Sequence, residues 1–147
     1  MTTLTKKPQK ARAIKYIAIH VTATQQNTTL AALWQGWKAR GFTRAGYHYL
    51  VWPDGRVEQL IDEGLISNGV ANYNTPTVNV AYVGGIITGK PGDYHDTRTP
   101  QQKASLLQIV RELKGRYPGA IIQGHRDFPG VAKTCPNFNA KAEYANV

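Results

Sequence analysis

A single cysteine, Cys135, stands in a chain of 147 residues, so no intramolecular disulfide can staple the fold. Stability must come from a hydrophobic core. Hydrophobic residues make up 41% of the chain against 18% charged, which is enough for one at this length, and the size fits one domain. No apolar run approaches the roughly 18 residues of a membrane-spanning helix. The stretch from Ala81 to Ile87 is about the longest, and Gly84 and Gly85 break it. The first bases are not followed by an apolar block, so no secretory signal is expected.

The placement of apolar residues predicts the elements. Ile14 to Ile19 is mostly apolar and β-branched, the pattern of a buried strand, and it delivers His20 at its C-terminal end. Leu30, Leu33, Trp34 and Trp37 fall at i, i+3, i+4 and i+7 behind the capping residues Asn27-Thr28-Thr29, which predicts a helix stopping at Gly41. Tyr47 to Trp52 and Arg56 to Ile61 read as a hairpin around Pro53-Asp54-Gly55. A loop over 62–77 leads to a strand over Val78 to Ile87, then a second loop over Thr88 to Thr99. Thr99-Pro100-Gln101-Gln102 combines a capping box with proline at the first helical position, and Leu106, Val110, Leu113 and Tyr117 supply the helix's apolar stripe. Ala120 to Gln123 reads as a short strand leading to His125, with a short helix near Ala140 to Ala145. The expected fold is α/β: a single domain with a central mixed β-sheet flanked by helices.

Charge is unevenly placed. The formal net charge is +9, yet no acidic residue precedes Asp54, while residues 1–53 carry Lys6, Lys7, Lys10, Arg12, Lys15, Lys38, Arg40 and Arg44. Residues 1–13 are polar and basic and contain Pro8, so they read as a flexible basic N-terminal arm ahead of a domain spanning 14–147. Such an arm either binds polyanions (nucleic acid, anionic envelope surfaces, wall polymers) or simply solubilises the chain.

Three residues carry candidate chemistry. His20 and His125 each follow a short strand, and Cys135 lies ten residues beyond the second histidine. Imidazole and thiolate are good Zn²⁺ ligands, and three protein ligands with a fourth position open is the arrangement of a catalytic zinc. Taken singly, each histidine reads as a surface or satisfied core residue rather than a ligand, and the cysteine as a small buried hydrophobe.

The words around these residues are more specific. The chain reads I-A-I-H-V-T-A-T at 17–24, A-G-Y-H-Y-L-V at 45–51 and Q-G-H-R-D-F-P-G-V-A-K-T-C-P at 123–136. These resemble the zinc-dependent N-acetylmuramoyl-L-alanine amidases of the phage T7 lysozyme type, relatives of the animal peptidoglycan recognition proteins. The resemblance runs in order from about Ile14 to Tyr144. It implies that His20, His125 and Cys135 hold one Zn²⁺ and that Tyr47 and Lys133 are the catalytic tyrosine and lysine. A lysine ammonium could stabilise the oxyanion of a tetrahedral intermediate, and a tyrosine hydroxyl could donate a second hydrogen bond. The implied reaction is cleavage of the amide between the lactyl group of N-acetylmuramic acid and L-alanine of the peptidoglycan stem. The implied setting is a phage endolysin that gathers in the host cytoplasm and reaches the wall once the membrane is permeabilised; a monomer is expected, since nothing reads as a coiled coil or a long exposed apolar edge. A non-catalytic peptidoglycan-binding module on the same fold is the alternative, though relatives of that kind lack the cysteine. A nucleic-acid binder rests on charge alone, with no binding motif to support it.

Two departures from the family pattern stand out. The loop Ser67-Asn68-Gly69-Val70-Ala71-Asn72-Tyr73-Asn74 lacks the histidine often found before the family's Tyr-Asn pair, and no His-Glu-x-x-His helix supplies a glutamate base. Among lesser candidates, His48 is expected to pack if Tyr47 faces the site, and His95 to decorate a loop. Asp127 is expected either to orient a ligand histidine or to cap its loop, and Trp34 and Trp37 to be core residues with an edge available to a groove.

Overall fold

In the computed structural model, which describes residues 3–90 and 92–147, the strand that carries His20 is an interior strand of the sheet, paired on both sides. The first two residues of the expected arm, and Pro91 in the second loop, lie outside the described residues. Strand β1 is Tyr16–Val21, β2 Tyr49–Val51, β3 Val57–Gln59, β4 Thr77–Tyr82 and β5 Ile121–Gly124. Their spatial order is β3-β2-β4-β1-β5. β1 is parallel to both neighbours and β2 is parallel to β4; β2 and β3 pair antiparallel as the hairpin. A strand covered on both faces needs a near-continuous apolar run, which explains why Ile17, Ala18 and Ile19 are fully buried.

Parallel pairing puts the C-terminal ends of β1, β4 and β5 along one edge of the sheet. Register pairs Ile19 with Gly124, so the next residues, His20 and His125, emerge side by side. Ligand sites of open α/β sheets characteristically form beyond this edge.

One helix covers each face. Helix α1, Leu30–Ala39, is capped by Thr29, whose side chain accepts from the Ala32 N–H, and it ends where Gly41 takes φ +82°. Its Leu33 and Trp37 pack against Leu50, Ala81 and Val83. Helix α2, Pro100–Arg116, begins with the reciprocal Thr99–Gln102 capping box and buries Leu106, Ile109, Val110 and Leu113 against Ile17, Ile19, Val78 and Val80. Each of those four side chains contributes about 1.5–3 kcal/mol, and Leu113→Ala would cost about 2–5 kcal/mol. The buried Gln102 amide donates to the Val51 and Val83 carbonyls, tying the start of α2 to the sheet. A short helix α3, Ala140–Glu143, follows.

One expectation differs from the structure in detail. The strand expected to reach Ile87 stops at Tyr82, because Gly84 and Gly85 adopt φ +141° and +99° and turn the chain out of the ladder. Only isolated bridges, Thr24 to Gly85 and Ile86 to Tyr94, continue it. The basic segment also lies against the domain. Glu112 accepts from the Leu4 and Thr5 N–H groups and from the Thr5 hydroxyl, the Lys6 N–H donates to the Tyr49 hydroxyl, and Arg12 donates to the carbonyls of Glu63, Asn74, Thr75 and Thr77. Lys6, Lys7 and Lys10 remain exposed. Among the described residues, no helix is long and apolar enough to cross a membrane.

Candidate active site

The edge of the sheet brings together three residues that are far apart in sequence. His20 is the fifth residue of β1, His125 opens the single 3-10 turn after β5, and Cys135 lies on the loop beyond it. The close approach of that loop depends on Gly124, where a Cβ would sit 2.6 Å from Pro136 Cδ. Any side chain at 124 would push the Cys135 segment away from β5. The Arg126 N–H donates to the Cys135 carbonyl at 2.9 Å and the Val21 N–H points at Cys135 Sγ at 3.3 Å, which fixes the thiol beside β1. One ligand atom from each of His20, His125 and Cys135 can be chosen so that all lie within 4.8 Å of one another.

Ring orientation follows from hydrogen bonding. His20 Nε2 pairs with the Asn79 side-chain oxygen at 2.8 Å, leaving Nδ1 directed at Cys135 Sγ, 3.9 Å away. Asn79 is itself held, because its Nδ2 donates to Ser67 Oγ at 2.8 Å, and Ser67 Oγ lies 3.1 Å from His48 Nδ1. That His48 nitrogen accepts from the Asn79 N–H, so Nε2 carries the proton and donates to the Leu65 carbonyl at 2.8 Å. Gly69 allows the arrangement: a Cβ there would collide with the Asn79 amide.

Electrostatics prepares the group for a cation. Burial, then the neighbouring His125 and the nearby Lys133, pull the His20 pKa down to about 3. Burial and Lys133 bring His125 down to about 4. Both imidazoles are therefore neutral at pH 7 and offer lone pairs. Burial pushes the Cys135 thiol up to about 11, opposed by the Val21 N–H and Lys133. Two imidazole nitrogens and one sulfur can hold a metal ion, and binding would expel the thiol proton.

Tyr47 and Lys133 line the same cavity of about 130 Å³ as the three ligand candidates. The Tyr47 ring centroid lies 5.2 Å from that of His20 and 5.8 Å from that of Trp37. Burial raises the Tyr47 hydroxyl above its ordinary range, so it stays protonated and able to donate. Lys133 is exposed on the loop. A larger cavity of about 560 Å³, bounded by Gln25, Gln26 and Asn27, contains none of these residues.

The remaining candidates resolve as follows. His48 is fully buried and does not line the cavity, as expected of a packing residue, although β2 begins only at Tyr49, so strand alternation is not what separates it from Tyr47. His95 pairs with Asp93 on an exposed loop. Of the two roles open to Asp127, the structure shows the cap: it accepts from the Gly124 N–H at 2.8 Å. Trp37 is buried, and it also forms part of the cavity wall. Histidine orientation falls instead to Asn79, which sequence reasoning missed. The available signal was a lone amide in the otherwise apolar run Val78-Asn79-Val80-Ala81.

Comparison with known proteins identifies the family. Residues 10–138 match the family model described as N-acetylmuramoyl-L-alanine amidase. The chain is 35% identical over 123 residues to the endolysin of Enterobacteria phage K11, covering 82% of this chain and 79% of that one. It is 32% identical over 127 residues to the endolysin of Escherichia phage T7, with coverage of 85% and 82%. Among solved structures, the Ph2119 endolysin from a Thermus scotoductus bacteriophage superposes with a TM-score of 0.75 at 25% identity, over 99% of this chain and 90% of that one. The Drosophila peptidoglycan recognition protein SA shares the fold, with a TM-score of 0.71 at 14% identity over 100% and 86% of the two chains. The chain thus belongs to the N-acetylmuramoyl-L-alanine amidase family, as a peptidoglycan hydrolase of the kind found among phage endolysins.

Proposed function

We propose that the chain is a zinc amidase in which His20, His125 and Cys135 hold one Zn²⁺ and Lys133 and Tyr47 act on the substrate. The observation that carries this reading is the convergence of two neutral imidazoles and a thiol within 4.8 Å, in a cavity that Tyr47 and Lys133 share. The donor set suits zinc, because a borderline-soft ion accepts both nitrogen and sulfur, and three protein ligands leave a position open for chemistry. A bound zinc ion supplies Lewis acidity, polarising a carbonyl and making water more acidic at neutral pH.

The chain's own groups do the rest. The scissile amide joins the lactyl carbonyl of N-acetylmuramic acid to the nitrogen of L-alanine; hydrolysis yields a lactyl carboxylate and a free alanine amine. Negative charge grows on the carbonyl oxygen on the way to the tetrahedral intermediate. The Lys133 ammonium, tethered two residues before Cys135, stabilises it, and the protonated Tyr47 hydroxyl donates a second hydrogen bond. Asn79 keeps the His20 proton on Nε2, so that Nδ1 faces the centre. As an endolysin, the protein gathers in the host cytoplasm and meets the wall once the membrane is breached. Lys6, Lys7 and Lys10 favour anionic envelope surfaces, an attraction that fades with salt.

The test is release of stem peptides from purified peptidoglycan by metal-stripped protein, zinc-restored protein and Cys135→Ser. New L-alanine amino termini without new reducing sugar ends, dependent on zinc and lost in the variant, are the expected result. Zinc and muropeptide binding without cleavage would establish a recognition module instead.

A further inference from the structure

The three cavities around the metal-ligand candidates share a cation that the proposed reaction does not use. Arg40 lines the central cavity and both of its neighbours, of about 510 and 340 Å³. It therefore stands where the three meet. No aspartate or glutamate lines any of them. The Arg40 side chain has no hydrogen-bond or ion-pair partner among the described residues. Arg12 is engaged by backbone carbonyls, Arg98 by Asp96 and Glu143, and Arg116 by Glu63, while Arg111 and Arg126, which also lack side-chain partners among the described residues, line none of the three cavities.

The backbone carrying this free guanidinium is held by hydrogen bonds at a helix end. Arg40 is the C-cap of α1, its N–H directed at the Gly36 and Trp37 carbonyls, with Gly41 at φ +82° ending the helix behind it. Trp37, one turn earlier, is buried and walls the same cavity. A planar guanidinium with unused donors, on a fixed backbone, beside a cavity free of competing carboxylates, is matched to a carboxylate ligand, which it can grip bidentately.

We propose that Arg40 is a specificity-determining residue that binds the free α-carboxylate of the D-isoglutamyl residue in the stem peptide. This rests on the amidase reading above. In a peptidoglycan stem the D-isoglutamyl residue follows L-alanine, so its carboxylate lies about one residue length, ~3.5 Å, beyond the alanine whose amide bond is cut. That is the range of a side chain on the cavity rim while the scissile amide occupies the centre. Many walls carry an amide in place of this carboxylate; the amide has no charge and presents donors to a guanidinium that has only donors itself.

The experiment uses the zinc-loaded protein and two muramyl tripeptides that differ only in acid or amide at the isoglutamyl α-carbon. The wild type is expected to cleave the acid with kcat/KM about tenfold or more above the amide, chiefly through KM. In Arg40→Gln that ratio falls towards one, in Arg40→Lys it is intermediate, and in Lys103→Gln, which removes one charge from an exposed part of α2, it stays at the wild-type value. Raising salt narrows the wild-type ratio, as expected of a rim-exposed pair. Equal cleavage of both substrates by wild type overturns the proposal, as does Arg40→Gln lowering both in equal proportion, which would place the contact on a carboxylate common to the two. Failure of the wild type to cleave either substrate is a different result: it removes the amidase reading and this assignment with it.

Discussion

Two buried polar clusters occupy different parts of this domain, and they are wired in opposite ways. Around Glu63, every strong acceptor has an internal donor: the carboxylate, fully buried, receives the hydroxyls of Tyr49 and Tyr117 and the Arg116 guanidinium. Around His20 and Cys135, beside His125, the hydrogen bonds secure the far sides of the groups. Asn79 takes His20 Nε2 and Val21 approaches the thiol, while Nδ1 and Sγ face each other. The first cluster closes on itself and joins the arm, β2 and α2. The second points its lone pairs inward at a shared centre. Burial alone does not separate a structural cluster from a functional one; the direction of the unspent donors and acceptors does.

The largest expected effect would break the contrast on the structural side. Glu63→Ala strands Arg116 and removes the partner of two tyrosine hydroxyls, and should cost about 3–5 kcal/mol of stability in urea unfolding. Cys135→Ser in metal-stripped protein should leave the unfolding midpoint near that of the parent. A matching loss in both variants would mean that the two clusters do the same work.

Lys133→Ala addresses the other side. With zinc content unchanged by mass spectrometry, kcat should fall about 10²–10³-fold, or ~2.7–4 kcal/mol in the barrier, while the fold is kept. A change confined to KM would reduce Lys133 to a binding contact.

Acid sharpens the comparison further. Burial holds His48 down at about 4 against an ordinary 6.5, and His20 and His125 are depressed in the same direction. Below pH 6.5 the unfolded chain binds protons that the folded chain refuses. The stabilisation is thus complete above that pH and is lost as pH falls towards the folded values. His48 alone accounts for about 3 kcal/mol at most. Urea unfolding of metal-stripped protein should show stability declining from pH 6.5 to 4; a flat profile would contradict the buried neutral histidines.

The smallest effect concerns orientation. Asn79→Ala should weaken zinc binding about 10–100-fold in chelator competition, while zinc-saturated protein keeps most of its turnover. Unchanged affinity would show that the His20 ring is held by packing alone.

Much of this was legible in the chain, for reasons that differ by element. The capping box at Thr99–Gln102 and the apolar spacing of α1 are local signals, and the structure reproduces both. The run ending at His20 announced a buried strand because a strand between two parallel neighbours has no face to offer water. His20, His125 and Cys135 stood out by residue type, but that they meet, and the roles proposed for Tyr47 and Lys133, were readable only through resemblance, since contacts across more than a hundred residues leave no periodicity. The contacts of the arm were illegible for a related reason. Its local composition is that of a solvated segment, but Glu112, Asp62 and the carbonyls around Glu63 wait for its N–H groups and Arg12 on distant elements.

Sequence by itself determined the element types, the absence of a crosslinked framework, the basic first third and the set of residues able to ligate a metal. Tertiary structure decided which of them meet. Parallel register along one sheet edge sets His125 beside His20, and Gly124 lets the cysteine loop close against them. An amide from β4 selects the histidine nitrogen that faces the centre. Periodicity is a property of neighbours along the chain, whereas a site is a property of neighbours in space, and only the folded sheet converts one into the other.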